Sequence, residues 1–94
     1  MSTNPFDLDA GWTLHPQVAV RPERFGALLY HFGTRRLSFV KTPTLLRVLT
    51  ALADADTARE ACTRAGVDAA HLSGYQHALA TLASSSMICA RVAA

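Results

Sequence analysis

The sequence contains few cysteines, no long apolar run and no recognisable export signal. Cys62 and Cys89 lie far apart and outside any CxxC pattern, so a disulfide framework is not indicated and a reducing cytosol is favoured. Nowhere do about 18 apolar residues follow one another, and residues 1–11 are polar and acidic instead of basic and then apolar. We therefore expect a soluble cytoplasmic protein that is not exported and has no membrane partner.

Signatures of catalysis and of metal binding are also missing. The sequence has no glycine-rich phosphate loop, GxSxG elbow or HExxH pattern, and its acidic residues are scattered without the pairing that acid–base catalysis needs. The histidines are His15, His31, His71 and His77. His71 and His77 would lie about 240° apart around a helix, so they cannot share one ion. The sequence predicts no catalytic residue, no metal site and no cofactor, and both cysteines are interpreted as structural.

The composition permits one small domain with a core of its own. The chain has 94 residues, and 50% of them are apolar. The formal charge of +2 is too small to indicate nucleic acid. The charges are unevenly distributed, however, because residues 1–47 hold six basic and three acidic side chains while residues 48–94 hold three and four. The positive character is thus concentrated in the N-terminal half.

The N-terminal half predicts an extended arm followed by three strands. Residues 1–16 contain turn formers and isolated apolar anchors, which indicates an arm that can dock on the body of the protein. Residues 17–21 alternate and end at Pro22, which is typical of a short edge strand. Residues 26–32 and 37–41 flank a Gly-Thr turn and predict an antiparallel hairpin.

The C-terminal half predicts three helices. The pair Thr42-Pro43 is a good helix start, and leucines and valines at three- and four-residue spacing continue to about residue 54. A second, short helix is predicted over residues 57–65, with Gly66 at its end. A third begins near residues 68–72 and continues to the serines at 84–86. The last segment, Met87 to Val92, is predicted as a final strand or a packed tail.

This order predicts an α+β fold, winged-helix-like, with a three-stranded antiparallel sheet followed by three helices. A winged helix raises nucleic-acid binding, as a regulator, as an alternative function. Between Val67 and Cys89 there is no lysine or arginine, so the third helix has neither phosphate anchors nor an arginine that could read guanine. The sequence therefore favours a helix packed on the core and no nucleic-acid partner.

The third predicted strand is the remaining candidate for function. Arg35, Arg36 and Lys41 flank it, and Leu37, Phe39 and Val40 fill it. At a sheet edge such a strand could receive an apolar peptide strand with acidic flanks. The other interpretation, which the pattern alone favours, is an ordinary core strand with a solvated basic rim.

Three segments carry a resemblance to a known family. LHPQVAVRPE at residues 14–23, FGALLYHFG at residues 25–33 and RRLSFVKTP at residues 35–43 resemble the MftB chaperones of mycofactocin biosynthesis. The resemblance covers about forty residues in register and extends more weakly over the whole chain. That family is similar to the PqqD-like peptide-recognition domains, which have three strands followed by three helices. With the arm predicted at residues 1–16, the resemblance implies a PqqD-like domain at residues 17–94.

The resemblance also implies a non-catalytic function. Such a protein holds the leader of a precursor peptide and presents it to a radical S-adenosylmethionine (radical SAM) maturase, which modifies the peptide's C-terminal Val-Tyr pair. The leader would lie as an added strand on the third strand and against the third helix. The peptide-binding residues that this implies are Arg35, Arg36, Leu37, Ser38, Phe39, Val40, Lys41, Tyr75, Gln76 and Leu79. The sequence leaves the oligomeric state open.

Overall fold

The computed structural model describes residues 6–91. Its elements in chain order are β1 (Trp12–Leu14), β2 (Val18–Glu23), β3 (Gly26–His31), β4 (Arg36–Val40), α1 (Pro43–Ala51), α2 (Ala58–Arg64), α3 (Leu72–Ser84) and β5 (Ile88–Ala90). β2, β3 and β4 form an antiparallel sheet in that order, and β1 pairs with β5 in a second sheet. The predicted α+β fold, with a three-stranded antiparallel sheet followed by three helices, is confirmed.

The turns of the three-stranded sheet have identifiable causes. At the β2–β3 turn, a Cβ on Gly26 would lie 2.1 Å from the Val40 carbonyl oxygen, so the close approach of β4 requires glycine. At the β3–β4 turn, the Nδ1 atom of buried His31 accepts hydrogen bonds from the backbone N–H groups of Gly33 and Thr34, at 3.0 and 3.1 Å. His31 thus stabilises the predicted Gly-Thr turn.

One inter-strand hydrogen bond shows in which direction each backbone group of the sheet points. The Phe32 N–H donates to the Gln17 carbonyl at 2.9 Å, so the backbone groups of Phe32 point toward β2. Successive residues of a strand bond alternately to the two sides, so Leu28 and Tyr30 also bond to β2. The β3 residues that bond to β4 are Ala27, Leu29 and His31.

β2 continues two residues beyond the predicted end at residue 21. Pro22 lies opposite Ala27, whose backbone groups point toward β4. The nitrogen of Pro22 therefore faces the free edge of β2, where the missing N–H removes no hydrogen bond of the sheet. Proline at an edge position can be part of the strand, and for this reason it does not end β2.

The N-terminal segment is built into the core. Phe6 and Leu8 are buried, and the Phe6 ring stacks on Trp12 with centroids 4.4 Å apart. Asp9 forms an ion pair with Arg59 at 2.8 Å, and this guanidinium holds the pKa of the Asp9 carboxyl below its ordinary value. β1 follows and pairs with β5. The last segment therefore contains a strand, which was one of its two predictions, the other being a packed tail. Val92 lies outside the described residues.

Local capping signals account for the start of α1 and for both ends of α2. The Thr42 side chain accepts the Leu45 N–H at the start of α1, and Pro43 occupies the first helical position. Thr57 caps α2 in the same way, at 3.1 Å from the Glu60 nitrogen. Gly66 follows α2 with a φ of 89°, which is the left-handed conformation that helix ends favour. The predicted start of α1 at Thr42-Pro43 and the predicted position of Gly66 after α2 are confirmed.

The three helices and the β1–β5 sheet cover one face of the three-stranded sheet. The sheet contributes Ala27, Leu29 and Val40 to the core, which packs against Val48, Leu49 and Leu52 of α1, Leu79 and Leu82 of α3, and Met87 and Ile88. Cys62 is fully buried in α2, and desolvation raises the pKa of its thiol. Within residues 6–91, no helix is both long and apolar enough to cross a membrane.

Candidate peptide-binding edge

β4 is an edge strand of the three-stranded sheet, with β3 on one side and no strand of the described chain on the other. The register pairs Arg36 with His31, Ser38 with Leu29 and Val40 with Ala27. Because those β3 residues bond toward β4, the backbone groups of Arg36, Ser38 and Val40 point into the sheet. The backbone N–H and C=O groups of Leu37 and Phe39 therefore point to the open edge.

The side chains of β4 separate onto two faces. Val40 is fully buried and Ser38 half-buried on the side of the helices. Leu37 and Phe39 lie on the opposite face and are 56% and 62% exposed. The alternative of an ordinary core strand is therefore wrong for two of the three apolar residues of β4. This strand offers both an open backbone edge and exposed apolar side chains.

α3 lies alongside β4, and a cavity marks each end of the pair. The first cavity, of about 260 Å³, is lined by Thr42, Leu45, His71, Gly74, Tyr75 and Ala78. The second, of about 350 Å³, is lined by Thr34, Arg36, Ser84, Ser85 and Ser86. The beginning of β4 is thus near the end of α3, and the end of β4 is near the first half of α3. The strand and the helix therefore run in opposite directions, and we define the groove as the space that contains these two cavities.

The predicted basic residues cluster at the ends of this edge. Arg35, Arg36 and Lys41 are exposed, and none of them forms an ion pair with any residue that the structure describes. Arg36 lines the cavity at the end of α3, where the helix dipole places partial negative charge. Arg35 has a φ of 60°, which closes the β3–β4 turn. These three cations remain available to an acidic ligand.

The three predicted residues of α3 occupy different environments. Tyr75 is half-buried and lines the cavity beside the end of β4. Gln76 donates a hydrogen bond from its side chain to the Phe6 carbonyl at 3.2 Å, so it holds the N-terminal segment. Leu79 is fully buried in the core. Of this group, Tyr75 alone lines a described cavity beside β4.

Sequence reasoning missed several residues that line the groove. His71 and Ala78 lie four and three positions from Tyr75, and Gly74 lies three from His71 and four from Ala78, which is helical spacing for neighbouring positions on one side of α3. Helical periodicity taken from Tyr75 could have identified His71 and Ala78. Thr42 and Leu45 could not have been found in this way, because their contribution depends on how α1 packs beside α3.

His15, His31 and His71 make contacts within the fold. The Nδ1 atom of His15 accepts the Gln17 N–H at 3.0 Å, and the His15 ring lies 4.4 Å from that of His31. His71 pairs with Asp68 at the start of α3 and holds the pKa of that carboxyl below its ordinary value. Among residues 6–91, no three histidine, cysteine or acidic side chains are grouped as a metal site requires.

The chain is similar to known proteins over most of its length. A model of the peptide chaperone MftB family matches residues 11–89. The peptide chaperone MftB of Mycobacterium tuberculosis (strain ATCC 25618 / H37Rv) is 58% identical over 89 residues, covering 95% of this chain and 82% of that protein. Its counterpart in Mycobacterium ulcerans (strain Agy99) is 60% identical over 83 residues, covering 88% of this chain and 76% of that protein. No solved structure shows significant similarity.

Proposed function

Because the chain belongs to the peptide chaperone MftB family, we propose that it is a non-catalytic adaptor for the leader of the mycofactocin precursor peptide. The leader binds as an added strand on β4, and the adaptor presents the bound peptide to a radical SAM maturase in the cytosol. The observation that carries this proposal is the edge of β4, which no strand among residues 6–91 covers, with basic side chains at both ends that form no ion pair with a described residue. The iron–sulfur clusters and the chemistry belong to the maturase.

Backbone pairing supplies the affinity in this proposal. The N–H and C=O groups of Leu37 and Phe39 bond to the leader, because they point away from β3. Edge strands with unpaired groups of this kind accept a further strand readily. Each such hydrogen bond contributes about 0.5–1.5 kcal/mol in net terms. The groups of Ser38 are already bonded within the sheet and take no direct part.

Side chains of the leader supply the specificity. Alternate side chains of an added strand point to opposite faces, so every second one faces the groove between β4 and α3. The cavity beside Tyr75 has a largely apolar wall and would receive an apolar leader side chain. Arg36 at one end and Lys41 at the other would attract acidic residues that flank this apolar position.

We expect the double reversal Arg35→Glu/Arg36→Glu to weaken leader binding by about tenfold or more. Each exposed ion pair contributes up to about 1 kcal/mol, and reversal adds repulsion of the acidic leader. Raising the salt concentration should weaken binding of the unaltered protein for the same reason. Isothermal titration calorimetry with a synthetic leader peptide measures both effects.

The matched control is Arg47→Glu/Arg64→Glu, which changes the net charge equally. These two residues line a cavity between α1 and α2, on the side of the helices. Their reversal should change leader affinity far less, because charges farther apart than a Debye length are largely screened. Equal losses in the two variants, or no loss in the folded Arg35/Arg36 variant, would remove specific charge contacts from the proposal.

A further inference from the structure

The outer face of the three-stranded sheet, which points away from the helices, is apolar. We define this outer face by six side chains: Phe25, Leu28, Tyr30, Phe32, Leu37 and Phe39. The register places Leu28 opposite Phe39 and Tyr30 opposite Leu37, so these four side chains form one continuous group across β3 and β4. Phe25 contacts Phe39 with ring centroids 6.1 Å apart.

This arrangement reverses the usual pattern of a sheet that is covered on one side. Such antiparallel sheets ordinarily alternate, with apolar side chains toward the core and polar side chains toward solvent. In β4 the polar Arg36 and Ser38 share the face of buried Val40, whereas Leu37 and Phe39 face solvent. Phe32 is 61% exposed as well. Contiguous exposed apolar groups with a polar rim mark interaction sites, and aromatic residues and arginine are enriched in protein interfaces.

The rim of the outer face is basic. Residues 18–41 contain five basic side chains and one acidic side chain, Glu23. Glu23 is paired with Arg21 at 3.0 Å. Arg24 and Lys41 lie at one end of the sheet and Arg35 at the other, and none of these three is in an ion pair with the part of the chain that the structure describes. A partner must therefore match an apolar centre with an acidic surround.

We infer that the outer face docks a folded protein partner whose complementary surface is apolar with an acidic rim. A second copy of this chain does not fit, because it would bring the same excess of positive charge to the contact. An extended leader does not fit either, since the face spans β3, β4 and the β2–β3 turn and is wider than one added strand. The inference rests on the proposed function in one respect, namely that the maturase supplies the folded partner.

The two binding surfaces then share β4 without competing for it. The backbone groups of Leu37 and Phe39 face the edge, where the leader pairs, while their side chains project from the outer face. Leader and partner thus bind side by side on one strand. The leader is therefore presented at the margin of the surface that the maturase covers.

The test uses the full-length protein with two purified probes, the synthetic leader peptide and the maturase. The variant Phe25→Ser/Phe32→Ser removes two exposed rings that are not on β4, and Arg24→Glu reverses one rim charge. We expect each to weaken maturase binding at least tenfold by calorimetry while leader affinity changes less than threefold. Arg47→Glu is the matched charge control, because Arg47 lines a cavity between α1 and α2 on the side of the helices, and it should leave both affinities unchanged.

Thermal unfolding establishes that each variant is folded, and Arg24→Glu carries the test alone if the double variant is not. Unchanged maturase affinity in the folded variants overturns the inference, and so does a larger loss for the leader than for the maturase. A concentration-dependent dimer that Phe25→Ser/Phe32→Ser disperses in analytical ultracentrifugation also overturns it. Unaltered protein that binds the leader but not the maturase overturns this inference and leaves leader binding standing. If it binds the maturase but not the leader, the proposed function fails and the variants still decide this inference.

Discussion

Leader binding is expected to fall by about 100-fold or more when Leu37 is replaced by proline, with the protein still folded. The Leu37 N–H faces the open edge, so its loss removes no hydrogen bond of the native sheet. The proline ring would occupy the edge, and two or three hydrogen bonds to the leader of about 1 kcal/mol each would be lost together. Calorimetry with the synthetic leader, together with thermal unfolding of the variant, measures the effect.

Two control variants separate the backbone from the side chain and from the fold. Leu37→Ala keeps the N–H and should bind the leader nearly as well as the unaltered protein. Ser38→Pro removes an N–H that bonds to β3, so it should lower stability by about 3 kcal/mol or more. A folded Leu37→Pro variant with undiminished affinity would show that the leader does not pair with β4.

Replacement of Phe6 by alanine is expected to lower the free energy of unfolding by about 3–5 kcal/mol. Phe6 is 2% exposed and stacked on Trp12, although it belongs to the segment that the sequence predicts as an arm. Such a loss is a large part of the stability of a small domain, so the midpoint of thermal unfolding should fall by well over 10 °C. Chemical denaturation followed by Trp12 fluorescence measures it.

Phe32→Ala is the matched control for this substitution. Phe32 is 61% exposed and contacts the edge of the Tyr30 ring with centroids 5.1 Å apart. Its replacement should cost about 1 kcal/mol or less. Equal losses for the two phenylalanines would mean that Phe6 is not part of the cooperative core.

The start of α1 and the ends of α2 were predictable because their causes are local. Thr42 and Thr57 each lie beside the N–H groups that they cap, and Gly66 follows the helix that it ends. Those signals are readable within a few residues. The pairing of β1 with β5 was not predictable in this way. It joins Trp12 to Ala90 through strands of three residues, too short for a periodic pattern.

The candidate site was predictable in part. The edge position of β4 follows from the order of the strands, and the sequence placed it correctly. The faces of β4 were ambiguous, because Leu37, Phe39 and Val40 do not alternate regularly and a shift of one residue reverses every side chain. In α3 the apolar stripe contains both buried Leu79 and groove-lining Tyr75. Packing against other elements distinguishes the two, and the stripe alone does not.

The most direct test of strand addition is amide hydrogen exchange, followed by NMR, with and without the leader peptide. If the leader pairs with β4, we expect the Leu37 and Phe39 amides to exchange rapidly in the free protein and to become protected in the complex. The Ser38 amide should be protected in both, because it already bonds to β3. If saturation with leader leaves Leu37 and Phe39 unprotected, and protection instead rises in α2 or in residues 6–14, the peptide binds elsewhere and strand addition on β4 is wrong.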